Sequence, residues 1–316
     1  MNGAALPSRV HVQEVVARDG LQIEPRFLPT AEKIALIDAL SETGVSKIEV
    51  TSFVSPRAVP NLADAGIVAR AIARRPGVTY VALVPNLRGA QEALDAGMDE
   101  LNLVMSASET HNLANMGMTP AQSLEGFRAI AEAAKGTGTT LNGSIATAFG
   151  CPFEGAQPEA KVLALIEDYL ESGLDSVTLA DTTGMANPRQ VAHLVGAVRR
   201  QFGTLPLTLH FHNTRGMGLA NVLAALDAGA DRFDASLGGL GGCPFAPGAT
   251  GNISTEDLVH MLDEMGVASG VDLARLLALA RALPALIGHD ISGQVAKAGR
   301  STDLHPAPAN RHPAAP

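Results

Sequence analysis

The chain has 316 residues, 46% hydrophobic and 17% charged, with a formal net charge of −9. This composition provides a substantial core, and an acidic balance without any basic run excludes a nucleic-acid surface. No uncharged apolar stretch approaches the ~20 residues of a membrane span, the opening MNGAALPSR lacks the apolar segment of a secretory signal, and the distant Cys151 and Cys243 suit a reducing, cytoplasmic setting rather than a disulfide framework.

Short β-rich runs alternate with helix-periodic segments along the chain. Strands are predicted over 10–16, 47–51, 78–83, 100–104, 139–145, 176–180, 207–212 and 232–236. Helical patterns fall between them over 30–43, 62–74, 87–96, 120–135, 158–172, 188–202 and 219–228, and an eighth covers 255–265. Thr119-Pro120 and Asn187-Pro188 place a cap and a first-turn proline at helix starts, and Glu256 and Asp257 follow Ser254 in the same way. Gly44, Gly97, Gly173 and Gly229 stand where helices end. LDAGMDEL, LESGLDSV and LDAGADRF repeat one helix–turn–strand solution.

Eight strands alternating with eight helices form either a closed barrel or an open doubly wound sheet. ARDGLQ after the first strand carries no G-x-G-x-x-G fingerprint, so the prediction is an α/β protein with the (β/α)8 TIM-barrel fold. One domain over 1–300 is expected, with the barrel at about 10–266 and a helical extension at about 270–300. The Pro- and Ala-rich tail 301–316 is expected to be disordered, and His305 and His312 within it are given no role.

Active sites of such barrels lie at the C-terminal strand ends. Polar residues gather there: Arg18, Asp19 and Gln22 after strand one, Glu49 on strand two, Asn102 on strand four, Asn142 and Ser144 on strand five, Asp181 on strand six and His210 and His212 on strand seven. At strand period two the imidazoles of His210 and His212 face the same way. They are either hydrogen-bonded structural histidines or the nitrogen ligands of an ion. Asp19 adds an oxygen from a strand end two places away, and Asn252 a neutral oxygen from the loop after strand eight. Two nitrogens and two oxygens suit Mg²⁺ or Mn²⁺. Arg18 either pairs with Glu49 or Asp181 or contacts substrate. Residues 238–252, GGLGGCPFAPGATGN, hold six glycines and two prolines and read as a loop passing close to something bound.

RDGLQ, KIEVTSFVSPRAVPNLAD, GCPFEG, LADTTG, HFHN and GGLGGCPFAPGATGN resemble the 3-hydroxy-3-methylglutaryl-CoA lyase family of barrel metallolyases, in order from about residue 10 to about 300. The resemblance implies a metal-dependent retro-Claisen cleavage of an acyl-CoA. It implies Asp19, His210, His212 and Asn252 as metal ligands, Arg18 at the thioester carbonyl and Cys243 as catalytic acid/base, with Glu49, Asp181 and His210 among the catalytic residues and Gln22 at the substrate. An acyl-CoA is the expected small-molecule partner, and a homodimer the expected assembly. Asn213 stands where these lyases have Asp, and Arg215 where they have an aromatic. H-x-H-N is the pattern of condensing relatives such as isopropylmalate synthase, so a condensing acyltransferase, a citramalyl-CoA lyase and a silent scaffolding barrel are the alternatives. Arg215 either recognises a different substrate carboxylate or pairs with an acid on the rim.

Overall fold

The computed structural model describes residues 6–242 and 251–306. Eight parallel strands close into a barrel in chain order: β1 (His11–Glu14), β2 (Lys47–Ser52), β3 (Thr79–Leu83), β4 (Glu100–Ser106), β5 (Thr140–Ala146), β6 (Ser176–Asp181), β7 (Leu207–Phe211) and β8 (Arg232–Ala235). β1 pairs with β8, His11 opposite Arg232 through Glu14 opposite Ala235, so the sheet has no free edge. The helices are α1 (Thr30–Ser41), α2 (Ala65–Ala71), α3 (Leu87–Asp95), α4 (Glu109–Met116), α5 (Pro120–Ala134), α6 (Glu159–Glu171), α7 (Pro188–Phe202), α8 (Gly218–Asp227), α9 (Thr255–Glu264), α10 (Leu273–Ile287) and α11 (Val295–Ala298). The predicted fold is the observed one.

Local chemistry explains most boundaries. Thr119 and Gln122 form a reciprocal capping box at α5, and Asn187 caps α7 by accepting from Gln190 N at 3.1 Å. The first strand is shorter than predicted. Its end turns into one π-helical turn over Val16–Gly20, which carries Arg18 and Asp19. The pattern over 62–74 resolves into a 3₁₀ turn, Pro60–Leu62, followed by α2. α4 was not predicted. Its start is marked by Ser108, whose Oγ accepts from His111 N at 3.1 Å.

The barrel interior is polar. Gln13 Nε2 donates across to Thr208 Oγ1 at 3.1 Å, and Lys47 Nζ pairs with both oxygens of Glu100 at 2.6 and 2.8 Å. Above them, Asn142 donates to Asn102 Oδ1 and to Thr178 Oγ1, each at 3.0 Å. Such groups are tolerable away from water because each finds partners. The apolar core lies instead between sheet and helices, where Leu207, Leu209 and Phe211 are fully buried. Gly143 on β5 shows how tight that layer is. A Cβ there would lie 2.2 Å from the ring of Tyr169, which is fully buried and donates its hydroxyl to Ser144 O at 3.0 Å. Gly143→Ala is therefore expected to destabilise the fold by about 1–3 kcal/mol, read as a lower denaturant midpoint at unchanged slope.

The C-terminal segment braces the rim. Gly238, at φ +67°, opens the loop after β8, and its carbonyl accepts from Ser292 N at 3.0 Å and Gly293 N at 3.2 Å. Asp257 at the start of α9 accepts from Gln294 N and Val295 N, tying α11 to α9. Of the expected disordered tail, residues 301–306 are described and largely exposed. The rest, His312 included, lies outside the described residues.

Candidate active site and metal centre

A cavity of about 530 Å³ opens at the C-terminal strand ends. Arg18, Asp19, Gln22, His210 and His212 line it together with Asn102 and Ser144. His210 and His212 point the same way from the end of β7, their Nε2 atoms 3.0 Å apart, and Asp19 Oδ2 lies 3.8 Å from His212 Nε2. The ligand atoms of the three residues fall within 4.8 Å of one another, a group able to hold a metal ion. All three are buried.

Asn252 joins them. An isolated bridge pairs it with His212, and its Nδ2 donates to Asp19 Oδ2 at 2.6 Å and to Leu240 O at 2.9 Å. Its Oδ1 is buried with no hydrogen-bond partner. A buried acceptor without a donor is costly, and here it stands beside two imidazole nitrogens and a carboxylate. Glycine permits the approach: at Gly241, φ +98°, a Cβ would lie 2.7 Å from Asn252 Nδ2 and 2.8 Å from Asp19 Oδ2. Cys243 follows two residues later and lies outside the described residues. Gly242, next to it, lines the cavity.

Arg18 pairs with Glu49, one of the partners the sequence offered, and stands at the cavity. Its Nη1 donates to Asp19 Oδ1 at 2.7 Å, its Nε donates to Glu49 Oε2, and it still lines the cavity. Glu49 sits at a bulge of β2 against β3 and takes a second bond from Asn102 Nδ2 at 2.8 Å. Gln22 Nε2 reaches Asp19 Oδ1 at 3.3 Å. Burial pushes Glu49 up, against the opposing pull of Arg18. Burial acts the same way on Asp19, but Arg18 and the two histidines outweigh it and hold that carboxyl below its ordinary value. Burial takes His212 down to about 4, with His210 adding to the effect, so His212 is a neutral nitrogen donor near pH 7.

Other candidates point elsewhere. Asp181 is buried, and its Oδ1 accepts from Met185 N at 2.7 Å and Ala186 N at 3.0 Å, ordering the loop before α7. Burial raises it to about 6 despite those amides. Arg215 Nη1 donates to Thr183 O and Gly184 O, each at 2.9 Å, and Asn213 Oδ1 accepts from Gly218 N at 3.0 Å. Neither Asp181, Asn213 nor Arg215 lines the cavity. Cys151 is buried and donates to Ser108 Oγ at 3.0 Å, in keeping with a structural role.

Two contributions escaped the sequence reading. Asp234 of β8 lines the cavity and accepts from His210 Nδ1 at 3.1 Å. The available signal was an acid set between Phe233 and Ala235 in a short strand. His111, Asn115 and Met116 of α4 also face the cavity, which only the Ser108 cap could have announced.

The chain matches the HMGL-like family over residues 9–283. It is 46% identical over 275 residues to a hydroxymethylglutaryl-CoA lyase of Bacillus subtilis, covering 87% of this chain and 92% of that one. It is 43% identical over 300 residues to the (R)-citramalyl-CoA lyase of Chloroflexus aurantiacus, covering 92% and 95%. The structure of an HMG-CoA lyase from Acinetobacter baumannii, in complex with coenzyme A and 3-methylmalate, superposes with a TM-score of 0.93 at 58% identity, covering 96% of this chain and 100% of that one.

Proposed function

This chain belongs to the HMGL-like family, and we propose that it is a divalent-metal-dependent carbon–carbon lyase cleaving 3-hydroxy-3-methylglutaryl-CoA to acetyl-CoA and acetoacetate. The observation that carries the reading is the convergence of Asp19, His210 and His212 with Arg18 on one acyl-sized cavity. The donor set fits a hard divalent ion, Mg²⁺ or Mn²⁺, because the unpartnered Oδ1 of Asn252 adds a neutral oxygen to one carboxylate and two imidazoles. A cation held there supplies Lewis acidity toward the hydroxyl of a bound 3-hydroxyacyl group.

The chain's own residues divide the remaining work. The hydroxyl proton passes to a base, the C2–C3 bond breaks, the C3 oxygen becomes the ketone of acetoacetate, and the bond electrons move into the thioester as an enolate. Arg18 stabilises that enolate oxygen, held in place by Asp19 and Glu49. Cys243 gives a proton to C2, completing acetyl-CoA. Glu49 and Asp181 act through their neighbours, Glu49 by orienting Arg18 and Asp181 by ordering the loop after β6. A cytoplasmic, reducing setting keeps Cys243 a thiol, and the homodimer is part of the same proposal.

A second substrate has support of its own. Citramalyl-CoA presents the same 3-hydroxy-3-methyl thioester with one methylene fewer, and one relative is a lyase for it. Another relative holds 3-methylmalate. A single methylene discriminates by only about 10–200-fold. Product analysis of metal-loaded protein tests both readings: acetoacetate from the glutaryl thioester is the expected major product, and exclusive formation of pyruvate from citramalyl-CoA would overturn it. Net condensation of acetyl-CoA with a 2-oxo acid, read as released thiol, would instead establish the acyltransferase.

Arg215→Ala is expected to leave the order of preference among these thioesters unchanged. Its bonds go to backbone carbonyls off the cavity, and an exposed contact of this kind contributes no more than about 1 kcal/mol. A reversed preference in kcat/KM would place its guanidinium at the substrate.

A further inference from the structure

β7 and β8 are in register with His210 opposite Asp234, so the two side chains rise side by side from adjacent strands at the cavity floor. Asp234 Oδ2 lies 3.1 Å from His210 Nδ1, while the other ring nitrogen, Nε2, faces His212 Nε2 at 3.0 Å. An imidazole has two nitrogens. If one gives its proton to a carboxylate, a neutral ring presents a lone pair at the other. The neighbouring histidine has no such tether: His212 Nδ1 is buried without a hydrogen-bond partner. The pair is thus held asymmetrically, one ring by a carboxylate and one by packing.

We propose that Asp234 is a positioning residue for the metal centre, fixing His210 in the tautomer and orientation that aim Nε2 at the seat shared with His212 and Asp19. Nothing in the chemistry of cleavage requires Asp234 to touch substrate. It acts through His210, and as a carboxylate it also makes that imidazole a stronger donor. It adds negative charge beside Asp19 and Glu49, where among the described residues only one guanidinium, that of Arg18, lines the cavity. A divalent cation neutralises the surplus. The inference rests on reading Asp19, His210 and His212 as the metal seat.

Two measurements test it. Mn²⁺ binding to metal-stripped full-length protein, followed by the EPR signal of free Mn²⁺, is expected to weaken by about 10–100-fold in Asp234→Ala, the usual effect of removing such an outer partner. Asp234→Asn keeps an acceptor oxygen without the charge and is expected to fall between Asp234→Ala and wild type. Independently, long-range ¹H–¹⁵N spectra of Mg²⁺-loaded wild type, labelled at histidine and assigned with His210→Gln, are expected to show the His210 proton on Nδ1 and none on Nε2. This arm decides the matter should Asp234→Ala fail to fold. Wild-type affinity in a folded Asp234→Ala, or a His210 proton on Nε2, overturns the proposal alone. Absence of Mn²⁺ binding in wild type overturns the metal seat and this proposal together.

Discussion

Chelation is expected to abolish turnover, and Mg²⁺ or Mn²⁺ to restore it. The expectation follows from a buried cluster that makes little sense without a cation: two Nε2 atoms 3.0 Å apart, a carboxylate 3.8 Å from one of them, and an amide oxygen with no donor. Two imidazole lone pairs aimed at each other repel unless a proton or a metal lies between them, and of the two only a metal would also engage Asp19 and the unpartnered amide oxygen of Asn252. Asp19→Ala and His210→Ala should each reduce metal affinity by more than the ~10–100-fold typical of outer-shell changes, with kcat/KM falling at least in parallel. Asp19→Ala carries a second penalty, since it strips Arg18 and Asn252 of a shared acceptor. Titration of metal-free protein with Mn²⁺, beside the activity of each variant, checks this. Full activity after exhaustive chelation would remove the metal from the mechanism.

Cys243→Ser is expected to bind metal and acyl-CoA nearly as well as wild type while kcat falls by about 10²–10⁴, the usual range for losing a general acid or base. A thiol, with an ordinary pKa of about 8.5, is close enough to working pH to give and take a proton. A serine hydroxyl is a far weaker acid. The prediction draws on the family resemblance and on the anchoring of the loop at both ends. Gly242 lines the cavity, and Gly251, at φ +93°, lies so close to the Gly239 carbonyl that a Cβ there would sit 2.1 Å from it. Alkylation should inactivate the enzyme, and substrate should protect it. Cys151→Ser should keep near-wild-type turnover, since that thiol is buried against Ser108. If Cys243→Ser turned over at the wild-type rate, the proton donor would lie elsewhere on the rim.

Much of the architecture was legible in the chain because it is written in local chemistry. Apolar periodicity marks the eight strands, and the caps at Thr119 and Asn187 mark helix starts, each through interactions spanning only a few residues. The shared direction of His210 and His212 is equally local, a consequence of the two-residue period of a strand. Where local signals conflict, the sequence misleads. The pattern of β1 ran on into a π-helical turn because a buried apolar run, Val15 to Ala17, reads alike in either state.

What depends on closure of the barrel had no sequence signal of comparable strength. Asp234 meets His210 only because β7 and β8 pair in one register, and a sequence separation of 24 carries no trace of it. Glu49 acquires its partners from Arg18, 31 positions before it, and Asn102, 53 after it. Only the tertiary structure gives Arg215 its partners, the backbone carbonyls of Thr183 and Gly184 in the loop after β6, 32 and 31 positions before it. Residue type states what a side chain is able to bind. Which of several suitable partners it meets is set by how strands far apart in sequence come into register, and that follows from packing of the whole chain.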